Sequence, residues 1–170
     1  QINLLSTMQI EGNPMSMMIE GDTMVVASSV YGWQLEEGHP LMPILTREYT
    51  YPNSDYVYKH YRSNLVKYSI IDISDRNSPS IQHELYLEGN YNTARLVDGT
   101  VRSITHAQMD VWGLEYYVTL PDEYWSMEDV YERMDVWNSS LLQTLSDNRD
   151  IILTLTLEDL LPQRYVMDGD

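Results

Sequence analysis

Apolar and polar positions alternate in short runs along this chain, and three runs close on an acid and a glycine. They are Met8-Gln9-Ile10-Glu11-Gly12, Leu85-Tyr86-Leu87-Glu88-Gly89 and Val166-Met167-Asp168-Gly169. An alternation of period two is the pattern of strands with one face turned to a core. The closing glycines are 77 and 80 residues apart, and the echo continues past the first two. Met18-Ile19-Glu20-Gly21 follows Gly12-Asn13, as Leu96-Val97-Asp98-Gly99 follows Gly89-Asn90. An internal repeat of this kind determines how the rest of a sequence is read. It predicts two copies of an all-β unit, cut at both ends.

The first copy reads as a hairpin, Met15 to Ile19 and Met24 to Val30, turned at Glu20-Gly21-Asp22. Two more strands follow at Leu65 to Ile73 and Ile81 to Leu87, joined through the stretch Asp72 to Pro79, which is dense in turn formers. Between the hairpin and these strands, residues 34–62 carry three prolines and many tyrosines and predict a long excursion with little regular structure. The second copy starts with Asn92 to Val97, a turn at Asp98-Gly99, and Val101 to His106. Its excursion predicts a helix. Ser126 is placed as N-cap, and Met127, Val130, Tyr131, Met134, Trp137, Leu141 and Leu145 form an apolar stripe laid against something apolar. Ile151 to Leu157 alternates with threonine and predicts a strand matching Leu65 to Ile73, and Arg164 to Met167 begins the last strand.

Each unit is then roughly 45 residues of four-stranded meander with an insertion, the size of a β-propeller blade. The expected organisation has three parts. Residues 1–12 are the last strand of a preceding blade, and 13–89 are a blade with a Tyr/Pro-rich insertion over 34–62. Residues 90–170 are a blade with a partly helical insertion over 107–148, truncated in its last strand. Two blades alone would leave open sheet edges, so remaining blades from further residues or from other chains are expected partners. The start at Gln1 reads as mid-strand, which places the natural N-terminus upstream.

Composition narrows the function classes. The net charge is −16 with only two lysines, Lys59 and Lys67, a field that repels nucleic acid and anionic membranes. The absence of cysteine excludes disulfides, thiolate metal sites and cysteine catalysis. No run of the chain has the length of a membrane span. Hydrophobic content of 43% fits a packed protein. Tyrosine, at 14 residues with no Phe, supplies an aromatic surface that carries hydroxyls.

The stretch Lys67-Tyr68-Ser69-Ile70-Ile71-Asp72-Ile73-Ser74-Asp75-Arg76-Asn77-Ser78-Pro79, with Ile81 to Gly89 and Asn92 to Gly99 behind it, resembles the secreted β-propeller-domain proteins of archaea and bacteria, distant relatives of WD40 repeats. The resemblance covers both meander cores, about half the residues. It implies a propeller fold and an extracellular or cell-surface location, and it brings no catalytic residues.

Candidate chemistry is sparse. Asp72, Ser74, Asp75 and Asn77 place oxygen ligands close together, as a Ca2+ loop would, but also as turn residues bonding their own backbone would. The histidines His39, His60, His83 and His106 share no ligand spacing. Glu36-Glu37 and Asp122-Glu123 are paired acids in the excursions, and Asn138-Ser139-Ser140 is a glycosylation triplet. No cofactor is predicted. The recurring acid before glycine is read as a cap on a neighbouring amide at a blade junction. Tyr49, Tyr51, Tyr56, Tyr58 and Tyr61 are the candidate contact surface for a protein partner. The expected function is a non-catalytic binding or structural module. A propeller hydrolase with acids converging on a central channel, and an accessory domain of a catalytic partner, stand beside it as alternatives.

Overall fold

The computed structural model describes residues 3–50, 57–61, 64–109, 111 and 113–168. It divides into two compact units, residues 1–108 with 162–170, and residues 109–161.

The first unit is built on a five-stranded antiparallel sheet. Strands β1 (Asn13–Glu20), β2 (Thr23–Tyr31), β5 (Asn64–Asp72) and β6 (Ser80–Glu88) lie side by side in that order, with β9 (Arg164–Asp168) beyond β6. The first four form the up-and-down meander expected of residues 15–88. β2 and β5 are buried along nearly their whole length, because both of their faces are covered. On one face Val25, Ala27, Val66 and Tyr68 pack with Tyr91, Ala94 and Val101. Those three belong to the hairpin of β7 (Asn90–Val97) and β8 (Thr100–His106), which is the start of the second copy. The Tyr68 hydroxyl meets Ser103 Oγ across that packing. On the other face Val30, Leu65 and Tyr86 pack with Leu35, Leu41 and Leu45 from the excursion.

The repeat is visible in the backbone. The β1–β2 register shifts between Pro14 and Ser16, and the β7–β8 register shifts between Tyr91 and Thr93, at the same offset of 77 that separates Gly12 from Gly89. Each shift is a bulge that bends the first strand of its hairpin. Gly12 has φ +81° and a side chain there would meet the Ser29 carbonyl oxygen at 2.5 Å. Gly89 has φ +116° and a side chain there would meet the His106 carbonyl oxygen at 2.7 Å. In both copies glycine lets the chain turn tightly against the far end of the hairpin's second strand.

Several expectations are corrected. The excursion contains regular structure: a helical turn at Met42–Leu45 (α1) and a hairpin of β3 (Thr46–Thr50) and β4 (Val57–Tyr61). Leucines spaced along its first half bury themselves in the core, which fastens that half to the sheet. Residues 3–10, read as a strand, form none and run as a strap whose Met8 and Ile10 line a hollow with β1 and whose Ser6 Oγ donates to the Arg76 carbonyl at 2.7 Å. In the second unit the helix α2 (Val130–Thr154) is capped by Asp129 rather than Ser126. The Asp129 carboxylate accepts from the amides of Tyr131 and Glu132 at 2.7 and 3.3 Å. Ser126 instead donates to the Glu123 carbonyl inside the turn Asp122–Ser126.

Ile151 to Leu157 is not a strand. α2 continues through Thr154, since each further residue of an established helix adds a hydrogen bond for little entropy. Thr156 and Asp159 then form a reciprocal capping box that starts α3 (Leu157–Leu160). The Leu-Thr alternation therefore lost to two helix-start signals. The stripe on α2 is present, but no residue of α2 is buried. Polar contacts are among those that hold it within the unit. Asn148 exchanges two hydrogen bonds with the Glu115 backbone at 2.9 and 2.8 Å, and Arg133 lies over the Tyr124 ring.

Candidate functional site

Lys67 sits in the middle of β5, opposite Ser28 on β2 and Tyr86 on β6. Only 4% of it is exposed, although it carries a charge. A buried ammonium is tolerated only when paired and hydrogen-bonded. Lys67 Nζ reaches Glu84 Oε1 at 2.6 Å and Glu11 Oε2 at 2.9 Å, and lies 5.2 Å from the centre of the Tyr86 ring. Glu84 and Tyr86 share a face of β6 because they are two residues apart.

Glu11 arrives from the strap. Its backbone carbonyl accepts a hydrogen bond from Ser28 Oγ at 2.8 Å, and the left-handed Gly12 beside it allows the close approach. Tyr86 donates its hydroxyl proton to Glu11 Oε2 at 2.8 Å. His39 completes the cluster from the excursion, with Nε2 3.4 Å from the Tyr86 hydroxyl and 3.8 Å from Glu11 Oε1. It is carried there by the buried Leu35 and Leu41 on either side. Above the cluster is a cleft of about 510 Å3, rimmed also by Gln9, Gln34 and Glu36.

The electrostatics follow from this packing. Burial pushes the Glu11 carboxyl up, but hydrogen bonds from Lys67 and Tyr86, with the Lys67 charge, outweigh it and hold the group below its ordinary value. Burial also drives the Tyr86 hydroxyl far upward, reinforced by its bond to Glu11 and by the Glu84 charge. Tyr86 thus remains a proton donor. One cation and one hydroxyl tie together a strap, two strands and the excursion.

Of the residues singled out in the sequence, the cluster takes up Glu11, Lys67 and His39, and Glu36 lies on the rim of its cleft. Glu84 and Tyr86 were not singled out. Lys67 itself carried the available signal, as a charge inside a continuous apolar run that must find an acid. The expected capping role of the acid before glycine is seen at Glu88, whose Oε2 accepts from the Gln163 amide at 3.0 Å.

Asp72 Oδ1 accepts from the Ser74 amide at 2.8 Å, and Asp75 Oδ1 accepts from the Asn77 amide at 2.9 Å. These are turns closed on their own backbone. The Ser74 amide holds the Asp72 carboxyl below its usual value. Among the described residues, no group of three or more acidic, His or Cys side chains is disposed to hold a metal ion. Tyr49 pairs with Tyr58, and Thr46 with Tyr61, along the β3–β4 ladder. Tyr51 and Tyr56 lie outside the described residues. His60, His83 and His106 fall on β4, β6 and β8, and Asp122 and Glu123 on the turn before α2.

A four-stranded antiparallel meander, followed by the hairpin of a second copy packed on its face, is the arrangement of successive propeller blades. The chain belongs to the β-propeller domain family, whose sequence profile, described as "Beta propeller domain", matches residues 1–164. No curated protein and no solved structure matches the chain. Among the described residues, no helix is long and apolar enough to cross a membrane.

Proposed function

We propose that this chain is a non-catalytic binding or structural module of a β-propeller that works outside the cell or at its surface. The observation that carries the reading is the apolar surface left open around both units. On the first, Met15, Met17 and Ile19 of the edge strand β1 face Met8 and Ile10 of the strap across a hollow of about 700 Å3, with Met17 63% exposed. On the second, Trp125 is 74% and Tyr131 80% exposed. Surfaces of this kind are covered by another protein surface when they work.

The polar cluster supports the same reading. Each of its members already faces a partner within the cluster, as in a fastener, whereas an acid–base pair needs a group directed at a substrate. A first blade over residues 13–89, joined by β9, and a second blade begun by the β7–β8 hairpin belong to this proposal, with further blades covering the open edges. Tyr49, Tyr51, Tyr56, Tyr58 and Tyr61 are its proposed contact face. The extracellular setting rests on the resemblance described above.

The native mass of the particle, measured together with solvent labelling of Met15, Met17, Trp125 and Tyr131, tests the proposal. A particle several-fold heavier than the chain's 19.9 kDa, with those side chains protected, is the expected result. A stable, folded monomer near 19.9 kDa with all four labelled overturns it.

A further inference from the structure

His39 has one ring nitrogen committed before any proton is added. Nδ1 accepts a hydrogen bond from the Leu41 amide at 3.2 Å. The neutral ring therefore carries its proton on Nε2, the nitrogen that faces Tyr86 Oη and Glu11 Oε1. One nitrogen holds the excursion's own turn and the other holds the blade. The His39 side chain is only 13% exposed, so water does not readily replace either partner.

A proton added at Nδ1 sets two N–H groups against each other, and the Leu41 amide loses its acceptor. That amide lies at the start of α1, where Met42 N bonds back to the His39 carbonyl and Leu45 N to the Leu41 carbonyl. Leu41 and Leu45 are the buried side chains that seat this segment on the sheet. Glu11 from the strap and Tyr86 from β6 face His39 directly, and Glu84 from β6, Lys67 from β5 and Glu36 from its own segment line the same cleft. Glu11 and Glu84 attract an added charge, but both already share Lys67, which repels it. The attraction falls on the Nε2 side and does nothing for the Leu41 amide.

We infer that His39 is a pH-sensitive latch: its protonation frees the Leu41 turn and loosens residues 38–45 from the blade, opening the cleft above Lys67. Histidine changes charge in the range, between about pH 5 and about pH 8, where such a device would operate. The latch stands independently of the binding role proposed above. Its consequence is local, because the Glu11–Lys67–Glu84 pairing does not pass through His39.

Amide hydrogen exchange across residues 38–45, in the wild type and in His39→Asn, tests it. An Asn side-chain oxygen accepts from the amide two residues on but does not titrate in this range. In the wild type, protection of Leu41, Met42, Ile44 and Leu45 should fall roughly fivefold to tenfold, beyond the intrinsic pH trend, on going from about pH 8 to about pH 5. In His39→Asn the protection should be flat. Nitrogen NMR of the wild-type ring gives an independent readout, with Nδ1 unprotonated at high pH. Equal wild-type protection at both pH values, a parallel fall in the variant, or a neutral ring protonated on Nδ1 each overturns the latch. If His39→Asn leaves the segment unprotected at every pH, the wild-type exchange and the ring tautomer decide between the same two outcomes.

Discussion

The hairpins Asn13–Tyr31 and Asn90–His106 share a glycine with positive φ, a bulge near the start of the first strand and a two-residue turn, all in corresponding places. Their neighbours differ. β2 is continued by β5 and β6 into a sheet whose centre holds Lys67, whereas β7 and β8 form a two-stranded sheet of their own. Local signals are enough to build a hairpin twice. The first copy adds a third strand, β5, whose Leu65–Ile71 run is buried along nearly its whole length.

The strongest way to test this contrast is to remove the cation beneath the first meander. Lys67→Met leaves Glu11 and Glu84 half-buried without a counter-charge and should destabilise the first unit by about 3–5 kcal/mol in urea unfolding. Adding Glu11→Gln and Glu84→Gln to that variant should recover much of the loss. No loss in the single variant would show that the cluster does not brace the sheet.

Gly12→Ala and Gly89→Ala probe what the two hairpins share. Each forces a side chain into positive φ and toward a carbonyl oxygen within 2.7 Å, so each should cost about 2 kcal/mol. Similar melting shifts support an equivalent role at both junctions, and a shift confined to Gly12 would break the equivalence. In the helical unit, Asp129→Ala removes the acceptor for two amides and should cost about 1 kcal/mol. The check is reduced helical circular dichroism with the sheet signal unchanged.

The last effect appears only in acid. Glu11 is held below its ordinary pKa of 4.5, so its contribution is complete above that value and fades as pH falls through its folded pKa. Stability measured downward from about pH 5 should therefore drop less in Glu11→Gln than in the wild type. Parallel curves would remove Glu11 from the account.

Much of the meander could be read in the sequence, because strand period, acid-glycine turns and the 77-residue echo are all local patterns. The hairpin ends and the four strands of the first copy follow from them directly. Ile151 to Leu157 was misread for an equally local reason. Its alternation competes with the Asp129 cap upstream and the Thr156–Asp159 box within it, and a period-two count weighs neither. The polar cluster was legible only as a question, posed by one lysine inside an apolar run.

The sequence by itself determined that this is a repeated, acidic, largely β protein with strands of known face and turns of known type. Those properties depend on residues within a few positions of one another. Tertiary structure alone decided that Glu11, His39, Lys67, Glu84 and Tyr86 meet, since they come from four separate segments and a buried charge selects its partners by position in space. It also decided that no residue of the apolar stripe of α2 is fully buried, because periodicity shows which face of a helix is apolar and says nothing of what lies opposite.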